Sequence, residues 1–216
     1  MKTRIPNALP RWLLVPAVAC VIAWVGAVNA QAPSPDVYRV EEDWSLVLLT
    51  PDANVNGPQV TCVISPLTID DAYCAFDVNY HTQPDYSAGG MQMHIWDPNS
   101  PMVTCNFPDT GMLKTAGETI TWTQNMSLSG GVLSFQVTNG NSQTWGKFGG
   151  TGDVLLSVNT SLANLNGYDS NVSLANSGVS FATNLVSSLT LEAVRWYDVN
   201  GKLIQQNTTP QVVHPQ

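Results

Sequence analysis

The chain has 216 residues, 44% of them hydrophobic, with 8 basic against 16 acidic side chains and a formal net charge of −8. An acidic surface repels phosphate backbones and anionic lipid, which argues against nucleic-acid and polybasic membrane binding. The length suits one domain with a substantial core once a targeting segment is set aside.

The first 30 residues read as a secretory signal peptide. Lys2, Arg4 and Arg11 form a basic leader, an apolar run follows from Trp12 to Gly26, and Val28 and Ala30 stand at the spacing of a signal-peptidase site. The alternative is a retained membrane anchor, but the run is shorter than the roughly 20 residues a bilayer span needs, and Pro16 interrupts it. Cleavage after Ala30 predicts an exported protein, periplasmic or extracellular, without a stable membrane anchor. Its five remaining basic residues, Arg39, Lys114, Lys147, Arg195 and Lys202, face all 16 acidic ones, a formal charge of −11.

After a predicted flexible tail over residues 31–38, short apolar or alternating runs follow one another: "WSLVLLT", "QVTCVI", "YCAFDVNY", "MQMHIW", "ETITWTQNMSL", "VLSFQVT", "DVLLSVNT", "NVSLA", "SLTLEAVRWY" and "KLIQQ". They are rich in β-branched and aromatic residues and are separated by Gly, Pro, Asn, Asp and Ser. "SGG" at 129–131 predicts a hairpin, and the Asn-Gly pairs in "NGN" at 139–141 and "VNGK" at 199–202 predict turns. No window sustains a helical period over four turns, and "ANLNGY" is at most one short turn. The pattern predicts an all-β, antiparallel β-sandwich or jelly roll over residues 39–205, with a C-terminal tail over 206–216.

Alternation places Ile120, Trp122, Met126 and Leu128 on one face, against Leu133, Phe135 and Val137. Trp44 and Trp196 are also expected to pack, and the alternation slips near Ala193–Val194, which signals either a bulge or burial on both faces. Export permits disulfides, and the strand-turn-strand reading of "QVTCVISPLTIDDAYCAF" predicts a Cys62–Cys74 bridge with Cys105 left as a small buried thiol. The sequons "NMS", "NTS", "NVS" and "NTT" record an Asn/Ser/Thr-rich surface.

Three stretches, "VEEDWSLVL", "GGVLSFQVTNG" and "SSLTLEAVRWYDVNGKL", resemble strands of concanavalin A-like lectin/glucanase domains, whose last strand commonly ends in a pattern like Ala193-Val194-Arg195-Trp196-Tyr197. Residues 161–181 also resemble the late segment of L-type lectins, and the whole chain is similar to exported bacterial β-sandwich proteins for which no activity is known. The resemblance implies a concanavalin A-like jelly roll, with function carried over by analogy alone.

The metal loop of legume-type lectins places two aspartates and a histidine much as Asp77, Asp85 and His94 stand here. Ala75 occupies the place of its first glutamate, Trp96 that of the glycine after its histidine, and Asn79 comes early. The resemblance therefore leaves calcium at Asp77, Asp85 and His94 as the alternative, because calcium takes six to eight oxygen ligands. The preferred reading assigns no cofactor and takes this stretch as two strands joined by a polar loop. Glucanases of this fold carry an E-x-D-x-x-E strand that points its carboxylates to one side. The nearest match is Glu41-Glu42-Asp43, but Leu46 replaces the last acid. Gln92-Met93-His94 matches the Q-x-H triplet of jelly-roll alginate lyases without the family's other strands. There is no G-x-S-x-G elbow and no phosphate-binding loop, and a serine paired with His81 or His94 would be spatial rather than sequential.

Binding is the better-supported expectation. "TNGNSQTWGKFGGTGD" sets Trp145 and Phe148 among small polar residues, and a sugar ring offers its C–H face to an aromatic plane and its hydroxyls to amides. The expected ligand-binding residues are Trp145, Asn141, Asn166, Tyr168 and Asp85, with Trp96 as a second aromatic. Trp145 as a plug over one end of the sandwich is the competing reading. A glycan or polysaccharide is the expected ligand, a polysaccharide-degrading enzyme the second reading, and a module that binds a protein partner the third.

Overall fold

The computed structural model describes residues 35–50, 57–80, 90–107, 112–113, 115–150 and 154–215. The predicted signal peptide, Asp85 and His81 lie outside the described residues. Among those described, no helix is long and apolar enough to cross a membrane.

Two antiparallel sheets form the domain. The larger has eight strands: β1 (Arg39–Leu48), β6 (Thr119–Ser129), β7 (Val132–Ser142), β8 (Gly146–Phe148), β9 (Leu155–Asn159), β11 (Val186–Tyr197), β12 (Leu203–Asn207) and β13 (Gln211–His214). Its path runs β12-β11-β1-β6-β7-β8, with β13 also on β11 and β9 also on β7. The smaller sheet has five strands, in the order β10 (Gly178–Phe181), β2 (Gln59–Ile64), β3 (Tyr73–Tyr80), β4 (Gly90–Asp97) and β5 (Ser100–Phe107). A short helix, α1 (Ser170–Asn176), stands where "NVSLA" is expected as a strand, and it is capped by Asp169, whose Oδ1 accepts the Asn171 amide at 2.9 Å.

The faces follow the alternation. On β1, Val40, Glu42, Trp44, Leu46 and Leu48 are buried while the residues between them are less so. Trp122, Met126, Phe135 and Val137 extend this inner face across β6 and β7, opposite Cys62, Phe76, Met93 and Ile95 of the smaller sheet. The Phe76 and Trp122 rings meet edge to face with centroids 5.9 Å apart, which ties the two sheets at the centre of the core. Trp44 and Trp122 are fully buried, as the alternation predicts.

The slip near Ala193 is a bulge. Asp43 pairs with Ala193 but Trp44 pairs with Leu191, so Glu192 is the extra residue. "SGG" closes the β6–β7 hairpin with Gly130 and Gly131 both at positive φ. "NGN" behaves differently from a turn: it lies inside β7, where Asn139 takes a φ of 54° and the register against β6 shifts between Thr121 and Thr123. Gly140 is needed there because a side chain would collide with the Phe148 ring.

Two further expectations are corrected. Residues 206–216, read as a tail, hold the end of β12 and all of β13, and Val213 is buried. β11 is long enough to pair with β12 over Val194–Tyr197 and with β13 over Leu189–Leu191. Cys62 and Cys74 form no bridge, and Cys62, Cys74 and Cys105 are free thiols. The register sets Cys62 opposite Phe76 and Cys74 opposite Ile64, so the two cysteines sit on a diagonal. Diagonal neighbours lie about 7–8 Å apart, beyond the usual reach of a disulfide.

Candidate functional site

A cavity of about 340 Å3 opens at one end of the larger sheet. Its walls are Val37, Leu165, Tyr168, Trp196 and Ile204, with Asn166 and Gln205 as polar groups. Trp196 faces Val40 on β1 and Gln205 on β12, which puts its ring on the inner side of the sheet where the core runs out. The Tyr168 and Trp196 rings meet edge to face, with centroids 5.9 Å apart at 67°.

Local hydrogen bonds build the opposite wall. The Asn166 side chain accepts the Val37 amide at 2.8 Å and donates to Asp36 at 2.7 Å, while the Leu165 amide donates to the Val37 carbonyl at 2.8 Å. These bonds fix residues 36–37, where the sequence predicts a flexible tail. The Tyr168 amide turns back onto the Leu165 carbonyl at 3.1 Å, which points the Tyr168 ring at Trp196.

Behind Tyr168 lies a sealed carboxylate. Glu42 is 0% exposed, and it accepts hydrogen bonds from Tyr168 at 2.6 Å, from Ser173 of α1 at 2.5 Å and from the Trp44 indole at 3.0 Å. Burial pushes the Glu42 carboxyl up to about 7, against the opposing pull of its hydrogen bonds from Ser173, Tyr168 and Trp44. Burial, reinforced by the charge of Glu42, holds the Tyr168 phenol well above its ordinary value.

The Asp77–His94 stretch forms a second polar cluster, on the outer face of the smaller sheet. Asp77 Oδ2 lies 2.9 Å from His94 Nε2, and Asp77 Oδ1 accepts from the Thr61 hydroxyl. Asp77 and His94 are only 3% and 7% exposed, whereas Trp96, two residues beyond His94 on the same face, is 44% exposed. Trp96 stands edge to face with His94, centroids 5.7 Å apart. Among the described residues, no group of three or more His, Cys, Asp or Glu side chains is arranged to hold a metal ion.

The outer face of the larger sheet carries the glucanase-like pair. Arg195 donates to Glu41 Oε2 at 3.0 Å and to both oxygens of Asp43, and the Tyr197 hydroxyl donates to Glu41 at 2.7 Å. Arg195 is held further above its ordinary value, chiefly by Asp43. Leu46 is buried in the core and cannot complete the carboxylate set. Glu41 and Asp43 thus sit in an ion-paired network with Arg195 rather than standing free.

The predicted binding residues fall in separate places. Asn166 and Tyr168 share the cavity. Asn141 is exposed on β7 opposite Lys147, and Trp145 is half-buried in the β7–β8 turn, edge to face with Phe148 at 5.6 Å. That turn is clamped by buried Glu118, which accepts from the Ser142 hydroxyl, from the Thr144 amide at 2.9 Å and from the Thr144 hydroxyl at 2.6 Å. Trp96 belongs to the other sheet. Sequence pattern marks neither Trp196 nor Gln205 as a ligand contact, and it places Glu42 only within the Glu41–Asp43 carboxylate run. A glutamate at an inward position between Val40 and Trp44 is the signal that was legible for Glu42. Trp196 lies beyond the bulge, where alternation stops reporting direction. No protein-family model, curated protein or solved structure matches the chain.

Proposed function

We propose that this is an exported, non-catalytic carbohydrate-binding module of the concanavalin A-like jelly-roll class, with its ligand in the Trp196–Tyr168 cavity. One observation carries the reading: two residues singled out for glycan binding, Asn166 and Tyr168, line one cavity with a further aromatic, Trp196, and the amide of Gln205. A pyranose presents C–H groups to the ring planes and hydroxyls to the amides. The volume is at the small end for ligand sites, so one or two sugar units of a longer chain fill it. The jelly-roll class rests on the sequence resemblance, and two facing antiparallel sheets are compatible with it.

The test is a glycan array with residues 31–216, run with calcium and again with EDTA, followed by titration with cellohexaose, laminarihexaose and mannohexaose. Binding that survives EDTA and disappears in Trp196→Ala supports the cavity. Binding lost in EDTA points instead to calcium at Asp77, Asp85 and His94. A second reading, a polysaccharide-degrading enzyme, is favoured by the carboxylate-held histidine, since Asp77 fixes the orientation of the His94 ring at 2.9 Å. Release of new saccharide ends by the native protein but not by His94→Ala supports that reading. No saccharide bound and no product released moves the assignment to a protein-interaction module.

A further inference from the structure

We infer that Glu42, which does not line the cavity, positions Tyr168 within it and makes saccharide occupancy depend on the protonation of a carboxylate sealed in the core. The inference rests on the carbohydrate reading of the cavity. Tyr168 belongs to both places, because its ring forms a wall and its hydroxyl donates to Glu42 Oε1 at 2.6 Å. With the ring in edge-to-face contact with Trp196 and the hydroxyl on Glu42, the side chain is held at both its ring and its hydroxyl.

Three donors converge on one carboxylate, with Tyr168 and Ser173 sharing Oε1 and Trp44 on Oε2. An ionised carboxylate accepts all three. A protonated one turns one oxygen into a donor, so at least one of the three bonds reverses or weakens, and hydrogen bonds to a charged acceptor are about twice as strong as neutral ones. The groups around Glu42 supply no countercharge. Cys62 of β2 is a thiol that burial and the charge of Glu42 hold neutral, and Asp169 beside Tyr168 is acidic. Gln124 of β6 and Val194 of β11 stand opposite Glu42 and carry no charge. Among the described residues no basic side chain pairs with Glu42. Burial therefore brings the titration to about 7. Above that point the charged carboxylate holds Tyr168 in place for the sugar, and below it the hold loosens. By reciprocity, a saccharide that needs the fixed ring draws Glu42 toward its ionised form.

The experiment follows the Tyr168 ring and the Trp44 indole N–H by NMR through a pH titration of residues 31–216, alongside affinity for the three neutral hexasaccharides. Both resonances are expected to move with one midpoint near 7, and Glu42→Gln removes that step. The hexasaccharide that binds does so about fivefold more tightly at about pH 8 than at about pH 6, and equally at both in Glu42→Gln. Ser173→Ala, which withdraws one donor from the carboxylate, raises the midpoint of the native chain and serves where Glu42→Gln folds poorly. A Tyr168 ring that ignores pH across this range, or a step that persists in Glu42→Gln, overturns the inference. Saccharide binding absent while Tyr168 still follows Glu42 sinks the carbohydrate reading and leaves the coupling standing.

Discussion

Asn79 holds the Leu113 peptide at both of its polar groups, donating through Nδ2 to the carbonyl at 2.7 Å and accepting the amide at Oδ1 at 2.6 Å. Asn79 is the extra residue of a bulge, since Val78 pairs with Met91 and Tyr80 with Gly90, and its φ of 61° is one asparagine tolerates better than most. Replacing Asn79 with alanine removes both bonds and leaves a buried amide and carbonyl unpaired. The expected cost is about 2–4 kcal/mol, read as a lower urea midpoint at unchanged slope. A loss under about 0.5 kcal/mol would show that water replaces the side chain.

Glu42 also sets a pH dependence of stability. Its folded value of about 7 lies above the ordinary 4.5, so the folded chain binds this proton more tightly than the unfolded one. The resulting stabilisation is complete below 4.5 and is lost as pH rises through about 7, on the order of 3 kcal/mol. Urea unfolding across this window shows a falling midpoint in the native chain and a flatter profile in Glu42→Gln. A native profile that rises between these limits contradicts the burial of an uncompensated carboxylate.

The two tryptophans separate the cavity from the β7–β8 turn. Trp196→Ala is expected to lower saccharide affinity at least tenfold, about 1.4 kcal/mol, with the far-UV spectrum retained. Trp145→Ala leaves affinity within about twofold, because Trp145 packs beside Phe148 on a turn clamped by Glu118. The reverse ranking would move the site to the turn.

Thiol state distinguishes the diagonal register from the face-to-face one. Alkylation of denatured, non-reduced protein is expected to label Cys62, Cys74 and Cys105, while in the native state Cys62 and Cys74 resist because both are fully buried. A Cys62–Cys74 peptide in a non-reduced digest would mean that the β2–β3 register differs from the one described.

The sequence by itself determined the all-β class, the hairpin at 129–131 and the inward tryptophans Trp44 and Trp122. Each of these rests on short-range rules: a period of two, glycine at positive φ, and apolar residues collected on one face. Register was not legible, because the Cys62–Cys74 spacing suits a face-to-face pair and a diagonal one equally, and only the pairing of Ile64 with Cys74 separates them. Nor was the meaning of "NGN", which forms a bulge inside β7 with the Phe148 ring packed over Gly140, a contact the local pattern does not record. The C-terminal strand was hidden because what makes residues 211–214 a strand is the free edge of β11, not their own pattern. The candidate site was half legible. Residue type points to Asn166 and Tyr168, but Trp196 joins them across the fold and Glu42 reaches Tyr168 over 126 positions of chain. Contacts at such separations are set by how the sheets and loops pack, and no local pattern records them.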